Sequence, residues 1–171
     1  MNLNPIGEIK DIFTNINNWL TYADVKIGVL LTFDVTVLFG IIQYQKYFGN
    51  LFRVDIILLI ISIIILLVSV VPLIYDLPRL HKILSFRFMK KNAISKNCIY
   101  FMNIATRSED EFVNLIKQRY QFIELDDLAK DYLSEIYENS KIVSIKNSFF
   151  RLAIIPTFAA IFLIIFILIC L

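Results

Sequence analysis

The sequence predicts an all-α membrane protein, and three observations carry that reading. Residues 56–75 and 152–171 are runs of 20 residues without a charge, 58% of the chain is hydrophobic, and apolar residues recur at helical spacing outside those runs. A helix rising about 1.5 Å per residue crosses a hydrocarbon core of roughly 30 Å with about 20 residues. A buried helix of a soluble protein usually keeps a polar face, and residues 56–75 have none. The expected layout is an amphipathic N-terminal helix (1–23), a two-helix transmembrane hairpin (24–75), a cytoplasmic helical module (76–151) and a third transmembrane helix (152–171).

Composition narrows the function classes. A net charge of +2 gives no nucleic-acid footprint. Cys98 and Cys170 read as two unpaired thiols, the second inside an apolar run. With one histidine, His81, and no CxxC or HExxH spacing, a metal site has no support. No nucleophile and base stand at catalytic spacing, and four glycines nearly exclude a glycine-rich phosphate cradle, so the chain is not expected to be an enzyme.

In chain order, Glu8 and Asp11 precede any long apolar stretch, which argues against a signal peptide. Asn4 as cap and Pro5 at the first helical position open a helix whose Ile9, Ile12, Phe13, Ile16, Trp19, Leu20 and Ala23 form one stripe. Trp19 and Tyr22 suit headgroup depth. The first span is expected over 27–44, with Asp34 near its middle at a cost of roughly 2.5–3.5 kcal/mol that the surrounding apolar residues offset. Asp34 therefore needs protein around it: a hydroxyl of a neighbouring helix, another subunit, or a wetted path. Gly28, Thr32, Thr36 and Gly40 recur every fourth residue on the face opposite Asp34, a spacing that lets helix backbones approach closely. Two faces of one helix each need a neighbour, and self-association into a homo-oligomer is the simplest remedy.

Residues 45–55 read as a turn joining antiparallel helices. Beyond the second span, Arg79, Lys82, Arg87, Lys90, Lys91 and Lys96 accumulate with no acid between Asp76 and Glu109, so this side is expected to be cytoplasmic. Lipid phosphate is the ordinary partner for such a cluster and a soluble anion the sharper one. Ser108 and Glu111 form a capping box ahead of Phe112, Ile116 and Tyr120. A second, longer helix is expected from Leu125, with Leu128, Tyr132, Ile136 and Val143 on its stripe. Lys141, Lys146 and Arg151 precede the last span, where Ala153, Thr157 and Ala160 put small residues on one face and Pro156 is a candidate kink. The C-terminus is expected outside.

Four segments carry a family resemblance: NNWLTYADVKIGVLL (17–31), PRL (78–80), YFMNIATRSEDEF (100–112) and EIYENSKIVSIKNSFFRLAI (135–154). Together and in this order they resemble the transmembrane effectors of Pycsar antiphage defence, in which a W, an AD-x-K, a YF-x-x-I before an acidic helix start, and an N-S-K-I with a later lysine recur. The small residue usual after the AD-x-K lysine is Ile27 here, and Asp34 matches no family position. The resemblance implies a multi-pass inner-membrane effector of abortive infection. A partner cyclase would make the cyclic pyrimidine nucleotide that switches it on, cyclic UMP or cyclic CMP, and the response would be membrane disruption. A constitutive small membrane scaffold or regulatory subunit is the alternative. A cyclic nucleotide offers one phosphate charge and a flat base, so its site needs cations beside an aromatic face. Arg79, Lys141 and Lys146 are the candidate phosphate-side residues, with Tyr100 and Phe101 for the base.

Overall fold

The computed structural model describes residues 5–48, 52–71, 97–122 and 124–170. Arg79 with the rest of the basic segment, and Gly49 and Asn50 of the expected turn, lie outside the described residues. Among the described residues five helices form, α1 (Pro5–Phe48), α2 (Arg53–Val70), α3 (Phe101–Ala105), α4 (Glu109–Tyr120) and α5 (Asp127–Cys170), and no strand occurs.

The layout differs from the expected one at two junctions. The amphipathic stripe and the first span are one 44-residue helix, because no proline or glycine falls between Glu8 and Ile27 to end the first segment. The helix expected from Leu125 likewise runs on into the third span as the 44 residues of α5, through Pro156. Asp126 starts it: its Oδ1 accepts the backbone N–H of Ala129 at 2.8 Å. The capping box forms as the spacing predicts, Ser108 Oγ and Glu111 Oε2 each accepting the other's backbone N–H at 3.2 Å. α4 ends at Gln121, whose φ of 56° is left-handed.

The chain folds as two compact units. The first comprises α1 as far as Ala23, α3, α4, and α5 as far as Ile145. Its core takes Ile9, Ile12 and Ile16 from α1, Phe112 and Ile116 from α4, and Ala129, Leu133, Ile136 and Val143 from α5. The inward stripe of α5 thus runs through Ala129 and Leu133, and Leu128, expected on it, is 50% exposed. Asn15 Nδ2 bonds the carbonyl of Ile99 at 3.0 Å, and Asn139 Nδ2 bonds Asn17 Oδ1 at 3.1 Å. These side-chain amides tie α1 to the segment before α3 and to α5.

The second unit comprises the remainder of α1, α2 and the last part of α5. Three layers of buried side chains stack between these helices. Ile41, Leu59 and Ala160 make one apolar layer, Ile27, Leu66 and Ala153 another, and Asp34, Ser62 and Thr157 lie in a polar layer between them. The pairing order makes α2 antiparallel to both partners: Ile27, Asp34 and Ile41 ascend on α1 while Leu66, Ser62 and Leu59 descend on α2. Each of the three helices is long and apolar enough to cross a membrane.

Candidate functional site

In the first unit an aromatic group forms around Trp19. Its ring centroid lies 5.4 Å from Phe101, 6.1 Å from Tyr100 and 6.2 Å from Tyr22. Tyr100 caps the start of α3 and lies 4.8 Å from Phe101. The pair divides by burial: Phe101 is 4% exposed and Tyr100 36%, so Tyr100 alone offers an edge to solvent. Lys141 stands 4.9 Å above the Tyr137 ring and holds both oxygens of Glu138, at 2.9 and 3.1 Å. The Tyr137 hydroxyl in turn donates to the carbonyl of Arg107 at 3.2 Å. An open groove of this unit, lined by Phe13, Leu128, Asp131, Tyr132 and Glu135, carries two carboxylates that disfavour a phosphate. Burial and then the neighbouring Cys98 hold the Tyr120 phenol above its usual range.

Lys146 lies five residues beyond Lys141 in the sequence of α5. It belongs to the second unit, where its ammonium pairs with Asp24 and its side chain is only 12% exposed. Lys26 Nζ bonds Asn147 Oδ1 at 2.7 Å and lies 5.3 Å from the Phe150 ring. Asp24 and Lys26 of the AD-x-K segment thus pair with Lys146 and Asn147 of α5. Sequence reading found both segments and missed that they pair, since nothing in the spacing of Asp24 points across 122 positions to Lys146.

The polar layer of the second unit is fully enclosed. Ser62 Oγ lies 2.6 Å from Asp34 Oδ2, 2.9 Å from Thr157 Oγ1 and 3.1 Å from the carbonyl of Ala153. Thr157 Oγ1 donates toward both oxygens of Asp34, at 3.0 and 3.1 Å, and lies 3.2 Å from the same carbonyl. Asp34 thus finds its protein neighbours on α2 and α5 of its own chain. The carbonyl of Ala153 gathers two hydroxyls, one residue past the Leu152 carbonyl that Pro156 deprives of its amide. Gly28 and Gly40 lie opposite: a Cβ at either would meet nothing within 4 Å, and the Thr32 and Thr36 hydroxyls bond back to α1 carbonyls at 2.9 and 2.8 Å. That stripe is open along the outer face. The sequence also gave no sign of Asp55, assigned to the turn, which is fully buried on α2.

A helical unit with an ordinary hydrophobic core, and three helices long and apolar enough to span that close around buried hydroxyls and a carboxylate, mark a membrane protein. The Pycsar effector protein domain model matches residues 8–171, and the chain belongs to that family. It is accordingly a membrane effector of antiphage defence. No curated protein and no solved structure matches the chain.

Proposed function

We propose that this protein impairs the inner membrane of an infected cell when a cyclic pyrimidine nucleotide, cyclic UMP or cyclic CMP from a partner cyclase, binds it. The observation that carries the reading is the family match, which spans nearly the whole chain and takes in both units. In this proposal the N-terminus and residues 76–151 are cytoplasmic, residues 45–55 and the C-terminus are outside, and the bias of basic residues supports that orientation. Tyr100, with one exposed edge on an aromatic group, suits a stacked base. Lys141 suits the phosphate, which would compete with Glu138 for its ammonium, and Arg79 is the third candidate. The open stripe of Gly28, Thr32, Thr36 and Gly40 would take a second copy of the chain.

Entry of a membrane-impermeant dye into cells expressing the protein, with cyclic UMP, cyclic CMP or neither supplied, tests the proposal. Dye should enter only with a cyclic pyrimidine nucleotide, and Lys141→Ala should insert normally yet stop responding. Dye entry that ignores both nucleotides, or calorimetry showing that purified protein binds neither, would overturn the nucleotide reading.

A further inference from the structure

The buried residues of α2 are Asp55, Leu59, Ser62, Leu66 and Ser69, a strict alternation of polar and leucine positions at steps of four and three. That spacing keeps all five on one helix face, and at about 1.5 Å per residue the three polar stations lie roughly 10 Å apart along the helix. Two features of this face suit a small cation, a cluster of oxygens at its middle station and an unpartnered carboxylate at its upper one. At the middle station five oxygens converge, those of Ser62, Thr157, the Ala153 carbonyl and both from Asp34, all within 2.6–3.2 Å of a neighbour. The hydroxyl hydrogens of Ser62 and Thr157 serve the two Asp34 oxygens, and the hydroxyl oxygens keep lone pairs open to a small cation. At the upper station Asp55 is 0% exposed, and neither of its oxygens has a hydrogen-bond partner among the described residues. It sits third in α2, where a carboxylate can reach back to the cap amide, and makes no such bond. A buried carboxylate without a partner is costly and calls for a proton or a cation.

Between the stations lie the two apolar layers. In each, a leucine of α2 packs with an isoleucine of α1 and an alanine of α5, Leu59 with Ile41 and Ala160 and Leu66 with Ile27 and Ala153. Dry apolar constrictions of this kind block ions until they wet.

We propose that the inner face of α2 is a gated path for small monovalent cations, protons included, with Asp55, Ser62 with Asp34 and Thr157, and Ser69 as stations and Leu59 and Leu66 as gates. The inference rests on the membrane-impairment reading and gives it a charge preference: the carboxylates exclude anions. A wetted path would carry protons and alkali ions alike, whereas a proton relay would carry protons alone.

The test uses the full-length protein in phosphatidylethanolamine–phosphatidylglycerol vesicles, with separate dyes for potassium-driven potential, internal pH and internal chloride. Leu59→Ser should leak without any nucleotide, with cation flux at least tenfold above wild type and chloride flux at wild-type level. Adding Asp55→Asn should remove at least most of that flux or its cation preference. Proton flux without potassium flux identifies the relay and flux of both identifies the wetted path, each in support. Where Leu59→Ser is not recovered as a folded helical protein, Leu66→Ser takes its place. A serine variant that is folded yet as tight as wild type, or one that passes chloride equally and ignores Asp55→Asn, overturns the path. In wild type, a leak triggered by cyclic UMP or cyclic CMP that passes chloride freely overturns the path and leaves the membrane reading standing. No leak with either nucleotide, beside a cation-selective Leu59→Ser, overturns the nucleotide reading instead.

Discussion

The two units expose opposite kinds of residue. In the first, Ile9, Ile16, Phe112, Leu133 and Ile136 are withdrawn and charged side chains such as Asp127 and Lys130 stand out. In the second, Asp34, Asp55, Ser62 and Thr157 are withdrawn while Val29, Phe39, Phe162 and Ile169 are 63–77% exposed. Water drives the first arrangement, because each buried apolar side chain is worth about 1.5–3 kcal/mol relative to exposure. Lipid supplies no such force, being as apolar as leucine, so the second unit must be held by close packing of small residues and by hydrogen bonds. The difference teaches that what each unit exposes reports its local solvent, while both keep apolar side chains inside.

Phe112→Ala should break the comparison most visibly. The ring is 0% exposed within the core of the first unit, and its loss should cost about 3–5 kcal/mol. Limited chymotrypsin digestion reads the effect, with cleavage in α4 rising sharply while residues 152–170 stay protected. An unchanged digestion pattern would mean that hydrophobic burial does not organise that unit.

Ala153→Leu comes next, at about 1–3 kcal/mol through overpacking. Ala153 is 0% exposed against Ile27 and Leu66, with no room for three more carbons. Ile155→Leu, two positions on and 62% exposed, should be near neutral. Titration of both variants with sodium dodecyl sulfate compares them directly. Equal midpoints would show that close approach of α5 is not what holds the second unit.

The sequence made the helices legible because their causes are local. Ser108 with Glu111, the 3.6-residue stripe of α1 and the apolar runs all act within a few residues of themselves. What it hid depends on absence or on distance. The unbroken α1 and α5 follow from the lack of a helix breaker at the expected junctions, a weaker signal than a proline or glycine would be. Leu128 looked like core because the stripe was phased from Leu125, whereas the helix starts after Asp126 and turns Ala129 and Leu133 inward. Asp34 was found, since a carboxylate in an apolar run stands out. Its partners Ser62 and Thr157 were not, because a lone hydroxyl in such a run is unremarkable until three helices bring it to within 2.6–3.1 Å. Asp55 was overlooked for a similar reason, its position at the edge of an apolar run reading as turn chemistry.

Thr157→Val should have the smallest effect and says most about what holds the second unit. Valine keeps the branched shape of threonine, so packing beside Ala153 and Ser62 is retained while the contacts to Asp34 at 3.0 and 3.1 Å are lost. Hydrogen bonds between membrane helices average about 0.6 kcal/mol and reach about 1.7, because the separated helices also find partners. Ser62, 2.6 Å from Asp34 Oδ2, keeps one bond to the carboxylate in this variant, which places the expected cost at about 0.6 kcal/mol. The same detergent titration, run as a double-mutant cycle with Ser62→Ala, measures it. Neither single variant should approach Ala153→Leu, but the double variant should exceed their sum, because Asp34 then loses both hydroxyls at once and is left buried without a donor. Strict additivity would mean that the two hydroxyls act on the carboxylate independently, and no measurable cost in either single variant or the double would mean that the second unit is held by packing alone.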